Sequence, residues 1–491
     1  MELLNPTLLI GIILGYFLVL IMISYFTAGK GDNKTFFTAN RDSNWLLVSI
    51  GMIGASLSGV TFVSIPGVIG QEAGSNINFS YMQMVMGYLV GYAVIALVLM
   101  PIYYKYNVTT IYTYLEERLG KYSYKTGAAF FILSRVIGAS FRLYLVAMVL
   151  DSFVTGPLGI SFFWTVLITI ILIWVYTFRG GIKTIVITDT IQTFSMLIAV
   201  GLTIYGIMQA MDLDTSSMIN LINENGYTKT FYFENGWNDP NNFFKQFLSG
   251  AFIAVVMTGL DQDMMQKNLT CRNLKDAQKN IFTFSVILIF ANLLFLTLGA
   301  LLYVYANFKG IAIPESTDEL YPMIALNHLP VSVGILFIIG LIAAAYSSAD
   351  SALTSLTTSF CVDFLGLTKK EATGKNEKQT RLFVHIGFSI VLLLTIVVFK
   401  LWNDEAVINK LFKAAGYTYG PILGLFAFSI FTKRSVQDLW VIPIAIVAPI
   451  LSYIINANAE NWFNGFQFGF LIILLNGGLT FFGLLLISKK N

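Results

Sequence analysis

The sequence predicts an all-α integral membrane protein with about 13 transmembrane helices. Three observations lead there. Charged residues make up 12% of the chain, against roughly 25% in soluble domains. Thirteen apolar runs approach or exceed the length, about 20 residues, that crosses a hydrocarbon core. Lysine and arginine collect on alternate connections, as the positive-inside rule requires.

Along the chain, α1 (7–27) is too long for a cleavable signal and lacks its basic leader, so it is expected to stay as an anchor. The run α2 (44–70) contains "IGMIGASLSGVTFVSIPG", with Gly54, Gly59 and Pro66 among small hydroxyl residues. α3 (79–103) follows, and α4 (126–155) carries Arg135 and Arg142 inside its run. α5 (160–178) and α6 (184–210) flank a short basic connection. The stretch 211–243 is polar, rich in Asn, Asp and Gly, with room for a short helix of its own. α7 (244–265) runs into "FLSGAFIAVVMTGLDQDMMQ", interrupted at Gly250 and Gly259. α8 (281–306), α9 (331–365), α10 (382–401), α11 (407–432), α12 (441–456) and α13 (466–488) complete the set.

Taking 28–43 as cytoplasmic puts 22 of the 30 Lys and Arg on the cytoplasmic side and six outside, with Arg135 and Arg142 within α4. The mirror orientation fits badly. The N-terminus is expected outside and the C-terminus in the cytoplasm.

α2 and α7 lie five spans apart and run in opposite senses. Paired glycine-interrupted spans point to an inverted repeat with a site at the midplane, where freed carbonyls gather. Close helix packing through glycine accounts for the same residues, and the sequence leaves both open.

Ionisable groups at membrane depth cost roughly 2.5–3.5 kcal/mol on insertion scales, so each is a functional candidate. Four stand out: Arg135, Arg142, Asp189 and Asp350. Asp189 is close enough to the cytoplasmic end of α6 to snorkel. Asp350 is deeper, in "AAAYSSADSAL" of α9. On a helix, Ser347, Asp350 and Ser351 share one face, and the Ala344 carbonyl lies just above Ser347 and Ser348. Back-bonding to the preceding turn explains one membrane serine, but not three serines and an acid in five positions. Such a set offers only hard oxygen ligands, which suit a small monovalent cation better than zinc or copper.

Other classes fit poorly. Cys271 and Cys361 make no disulfide framework. His328 and His385 lack zinc spacing, and no nucleophile motif or phosphate loop is present, so no enzyme is expected. Nothing reads as a ring of carbonyls or charges around a pore. A sensor would append a signalling domain, and only Lys489–Asn491 follow the last run. A net charge of +3 points to no nucleic-acid partner.

Three stretches resemble motifs of the sodium:solute symporter family. "RGGIKTIVITDTIQ" opens α6, "DQDMMQKNLTCRNLKDAQK" closes α7, and "AAAYSSADSAL" lies in α9. The resemblance covers essentially the whole chain. It implies a LeuT-type fold: an extra helix in 1–43, a first five-helix repeat in 44–210, the outer loop 211–243, a second, inverted repeat in 244–432, and two C-terminal helices in 433–491. It also implies sodium-coupled import of a small polar solute by alternating access, in the cell (inner) membrane, by a chain that works as a monomer. The solute is expected to be a sugar acid such as sialic acid, or a sugar, with an amino acid or other carboxylate as the alternative.

The family's common sodium site would fall on the carbonyls of Gly54, Leu57 and Ala344 and the hydroxyls of Ser347 and Ser348. A second sodium would fall on Asp189, Ser347, Asp350 and Ser351. One or two ions are implied, two being favoured. Asp350 departs from the serine of the sialic acid members. Solute contacts would fall on Ser56, Ser58, Thr61, Phe79 and Gln83, and on Arg142 or Arg135. The galactose members' aromatic gate maps near Met257 and their glutamine to Thr61, so a plain galactose pocket is not expected.

Overall fold

The computed structural model describes residues 6–27, 33–71, 75–234, 236–367, 377–401 and 406–489. Among the described residues, nine helices are long and apolar enough to cross a membrane. Three further helix pairs qualify when each bent pair is read as one span, and Phe162–Val175 is a shorter apolar helix. Each of the thirteen runs falls on one of these elements. The chain is a multi-pass membrane protein.

Breaks in the helices follow from local chemistry. α2 consists of Trp45–Ser56 and Gly59–Val68, bent by 54°. Leu57 leaves the helical region at φ −81°, ψ 74°, and Ser58 is extended. α7 is Phe243–Ala254, a π turn Val255–Gly259 and a short segment Gln262–Asn268, bent by 68°. Asp261 starts that last segment, its carboxylate accepting from the Asp263 and Met264 N–H groups at 2.8 and 3.3 Å.

α5 and α6 form one stretch, Phe162–Ala210, reversed at Gly181, whose φ of 52° and ψ of −143° suit glycine alone. α11 was expected as a single run. It is Val407–Thr418 followed by Gly420–Phe431, bent by 46°. Pro421, in the first turn of the second segment, cannot supply an N–H to continue the ladder.

The loop 211–243 holds the expected short helix, Thr215–Glu224, capped by Asp214 on the Ser217 N–H at 2.7 Å. A second one, Leu320–Asn327, lies between α8 and α9 and was not foreseen. The end of the bundle carrying 211–243 is called the loop face below, and the end carrying 104–121 and 267–279 the basic face.

Burial is inverted relative to a soluble protein. Phe26, Leu486 and Leu401 are among the most exposed side chains, as a lipid-facing surface requires. From Phe337 onward the α9 helix (Val331–Ser359) is almost wholly buried, serines and threonines included. α3 meets the first segment of α7 backbone to backbone, with Gly87 against the Phe247 carbonyl and Gly250 against that of Met84.

Gly87→Leu should therefore force those helices apart and lower stability by about 1–3 kcal/mol. Thermal unfolding in detergent reads this directly. Gly201→Ala, whose new methyl would meet nothing within 4 Å, should not lower the midpoint.

Candidate transport site

The broken spans α2 and α7 treat their freed carbonyls differently. At the α7 break, the Gly259 carbonyl accepts from the Tyr103 hydroxyl at 2.8 Å, and the Leu260 carbonyl from Tyr112 at 2.9 Å. At the α2 break, the Leu57 N–H closes the last helical bond on the Ile53 carbonyl at 2.7 Å. Ser58 turns away, so the Gly54 carbonyl lacks the N–H that a continuous helix supplies. No tyrosine covers it among the described residues.

α9 and α6 close on that break. The Ser347 Oγ lies 3.0 Å and the Asp189 carbonyl 3.2 Å from where a Gly54 Cβ would sit, and Thr193 Oγ1 is packed there as well. The Ser347 Oγ is buried and faces the Asp189 carboxylate. Ser348 is also buried, its Oγ 3.3 Å from the Ala344 carbonyl. A buried hydroxyl beside freed carbonyls offers hard oxygen ligands of the kind a monovalent cation takes. Among the described residues, no group of three His, Cys, Asp or Glu could hold a transition metal.

Beside the break lies a small inner cavity of about 70 Å³. Ser56, Ser58 and Thr61 of α2 line it, with Tyr81, Tyr88 and Tyr92 of α3, Thr258 of α7 and Arg142 of α4. Arg142 is buried, and its Nε and Nη1 have no acceptor in the protein. Toward the loop face opens a vestibule of about 1090 Å³. The first half of α11 separates the two: Asn409, Lys413 and Tyr417 face the vestibule, while Ile408, Leu411 and Phe412 face the inner cavity. Phe412 stacks on Tyr81, ring centroids 6.4 Å apart.

On the other side of the cavity the short second segment of α7 is buried from Gln262 to Asn268. Asp263 pairs with Arg135 and accepts from the Ser351 hydroxyl at 3.3 Å. Gln266 donates to the Thr358 hydroxyl at 3.0 Å, and Lys267 meets Asp189 at 2.5 Å. Asp261 accepts from the Tyr419 hydroxyl. These bonds tie α7 to α4, α6, α9 and α11 at once and seal the basic face.

The chain matches the sodium:solute symporter family over residues 36–438. It belongs to that family. The symporter is a transporter, not an enzyme. It is 25% identical to the sodium/sialic acid symporter NanT of Aliivibrio fischeri, over 93% of this chain and 89% of that one. It is 23% identical to the sodium/sialic acid symporter SiaT of Proteus mirabilis, over 86% and 84%. In fold it is similar to a solved Na+-coupled sialic acid symporter in a substrate-bound outward-open state, with a TM-score of 0.81 at 19% identity over 98% of this chain and 99% of that one.

The symporter's geometry sorts the expected residues. Gly54 and Leu57 sit at the α2 break and Ser347 of α9 faces Gly54, while Ala344 and Ser348 bond to each other on the adjoining turn of α9. Ser56, Ser58, Thr61 and Arg142 line the inner cavity; Phe79, Gln83 and Arg135 do not. Arg135 is held by Asp263, with Asp261 at 3.8 Å. Gln83 is spent on the 211–243 loop: it donates to the Asn241 carbonyl at 2.9 Å and accepts from the Tyr232 N–H at 3.2 Å. The expected second sodium set is not assembled as a free site either, because Lys267 occupies Asp189 and Asp263 engages Ser351. The tyrosine stripe Tyr81, Tyr88 and Tyr92 was missed. Its spacing of seven and four residues on α3 was the available signal.

Gln83→Leu should then cost about 1–3 kcal/mol of stability, because it leaves buried loop groups unpaired. It should leave solute affinity within twofold of wild type. Thermal unfolding and a binding titration on the same preparation separate the two, and a large affinity loss would return Gln83 to the solute site.

Proposed function

We propose that this symporter imports a small carboxylate, a sugar acid of the sialic acid class, together with Na+ by alternating access. Arg142 carries the reading. Among the described residues lining the inner cavity it is the one charged side chain, and its guanidinium is buried with two nitrogens lacking acceptors. A carboxylate would bring both an acceptor and a counter-charge to that guanidinium, and a neutral sugar would leave the charge unpaired. Hydroxyls of Ser56, Ser58, Thr61, Tyr88 and Tyr92 would meet the hydroxyls of a sugar. The substrates of the NanT and SiaT relatives support the same class.

The sodium site consists of the Gly54, Leu57 and Ala344 carbonyls with the Ser347 and Ser348 hydroxyls. Sodium bridging α2 to α9 would order the α2 break, whose next residues, Ser56 and Ser58, contact the solute. Each ion carried down a tenfold gradient supplies about 1.4 kcal/mol. We place the chain in the inner membrane with the loop face outside and the C-terminus in the cytoplasm, working as a monomer. The two repeats, 44–210 and 244–432, take part as inverted halves, and the bends at 54° in α2 and 68° in α7 support this.

Uptake of labelled sialic acid into proteoliposomes tests the reading. Sodium outside should drive accumulation. Arg142→Lys should raise KM at least tenfold, because a point charge replaces a planar fork. Ser347→Ala with Ser348→Ala should raise the sodium concentration for half-maximal uptake at least tenfold in protein that still folds. Full activity of both Arg142→Lys and Arg142→Ala would remove the carboxylate from the reading. Unchanged sodium dependence in the serine pair would remove the cation site.

A further inference from the structure

We propose that the Lys267 ammonium stands in for a second cation, so that the symporter binds one Na+ rather than two. The number carried per solute rests on the sodium-coupled reading above; the number bound does not.

Asp263 and Lys267 are four residues apart on the last helical segment of α7, so they share one face. That face engages two of the four side chains that a second sodium would need. Lys267 Nζ is 2.5 Å from Asp189 Oδ2, with 1% and 0% of the two side chains exposed. Asp263 Oδ2 is 3.3 Å from Ser351 Oγ, and Asp263 is itself paired with Arg135. A carboxylate buried in hydrocarbon needs a cation to stay charged. Here the chain supplies that cation, and it is covalently attached.

An attached ammonium loses little freedom on pairing. A free ion must be captured and stripped of water, and at Asp189 it would lie beside a buried positive charge. Lys267 contacts one oxygen of Asp189, Oδ2, so the pair is monodentate and can part when α7 moves. Lys267 travels with its helix and carries no ion across. For a monoanionic solute the consequence is large: one Na+ makes the cycle electroneutral, whereas two make it carry net positive charge inward.

Equilibrium binding of 22Na+ to the detergent-purified protein, with no solute present, tests this. We expect one ion per wild-type molecule and a Hill coefficient near one. Lys267→Gln leaves Asp189 without its ammonium and should raise the count to two. The double variant Asp189→Asn, Lys267→Gln removes both charges and should bind one. A count of two in the wild type overturns the proposal, as does a count that stays at one in folded Lys267→Gln. If Lys267→Gln does not fold, the wild-type count and the double variant decide. Failure of sialic acid uptake with a count of one would sink the solute class and leave the lysine in place.

Discussion

A carbonyl that loses its helical N–H inside hydrocarbon must find another partner, and an unsatisfied one costs several kcal/mol. The broken spans α2 and α7 both face that requirement at membrane depth. α7 meets it with protein: Tyr103 and Tyr112 reach in and donate to the Gly259 and Leu260 carbonyls. Among the described residues α2 has no such tyrosine, and the α9 side chain packed against Gly54 is Ser347. Carbonyl and hydroxyl oxygens together can also coordinate a cation. That difference between the two breaks is why the proposed ion site lies at α2 rather than α7.

The same break positions the rest of the site. With α7 fixed by tyrosines, its last segment becomes a buried bar of charge. Asp261, Asp263, Gln266 and Lys267 reach α11, α4, α9 and α6 respectively. Removing one partner of such a pair strands a buried charge, which is far costlier than an exposed pair's small contribution. The basic face is thus held by a few strong, breakable contacts. The loop face has a wide vestibule and a thin partition of apolar side chains on α11, Ile408, Leu411 and Phe412. Apolar contacts of this kind slide without stranding charge.

The spans were legible because hydrocarbon thickness imposes a length that composition reveals. So were the breaks in α2 and α7, where glycine and hydroxyl residues interrupt apolar runs. The break in α11 was missed although Gly420 and Pro421 mark it, since its flanks stay apolar enough to read as one run. At the site, Arg142 was visible as a charge in oil, whereas Ser56, Ser58 and Thr61 came from the family resemblance. Gln83 came the same way, and the structure turns it to the 211–243 loop instead. Its partners, Asn241 and Tyr232, lie about 150 residues away in the chain, in a loop whose fold no local pattern records. Lys267 was read as a loop cation of the positive-inside count. Only tertiary structure shows it 1% exposed against Asp189, 78 residues upstream.

The order of residues along α2 carries a last consequence. Gly54 and Leu57 are the proposed ion ligands, and Ser56 and Ser58 line the solute cavity, so the two sets interleave within five residues. Coupling between ion and solute then needs no long pathway. Either ligand must fix the dihedral angles of the same short stretch of backbone, at Leu57 and Ser58, where the helix is interrupted. Whichever binds first removes that conformational freedom, and the second binds to a backbone already ordered. Linkage makes the gain identical in both directions. It is confined to one short stretch of chain because the helix is interrupted at two neighbouring residues, Leu57 and Ser58, the same interruption on which the proposed cation site rests.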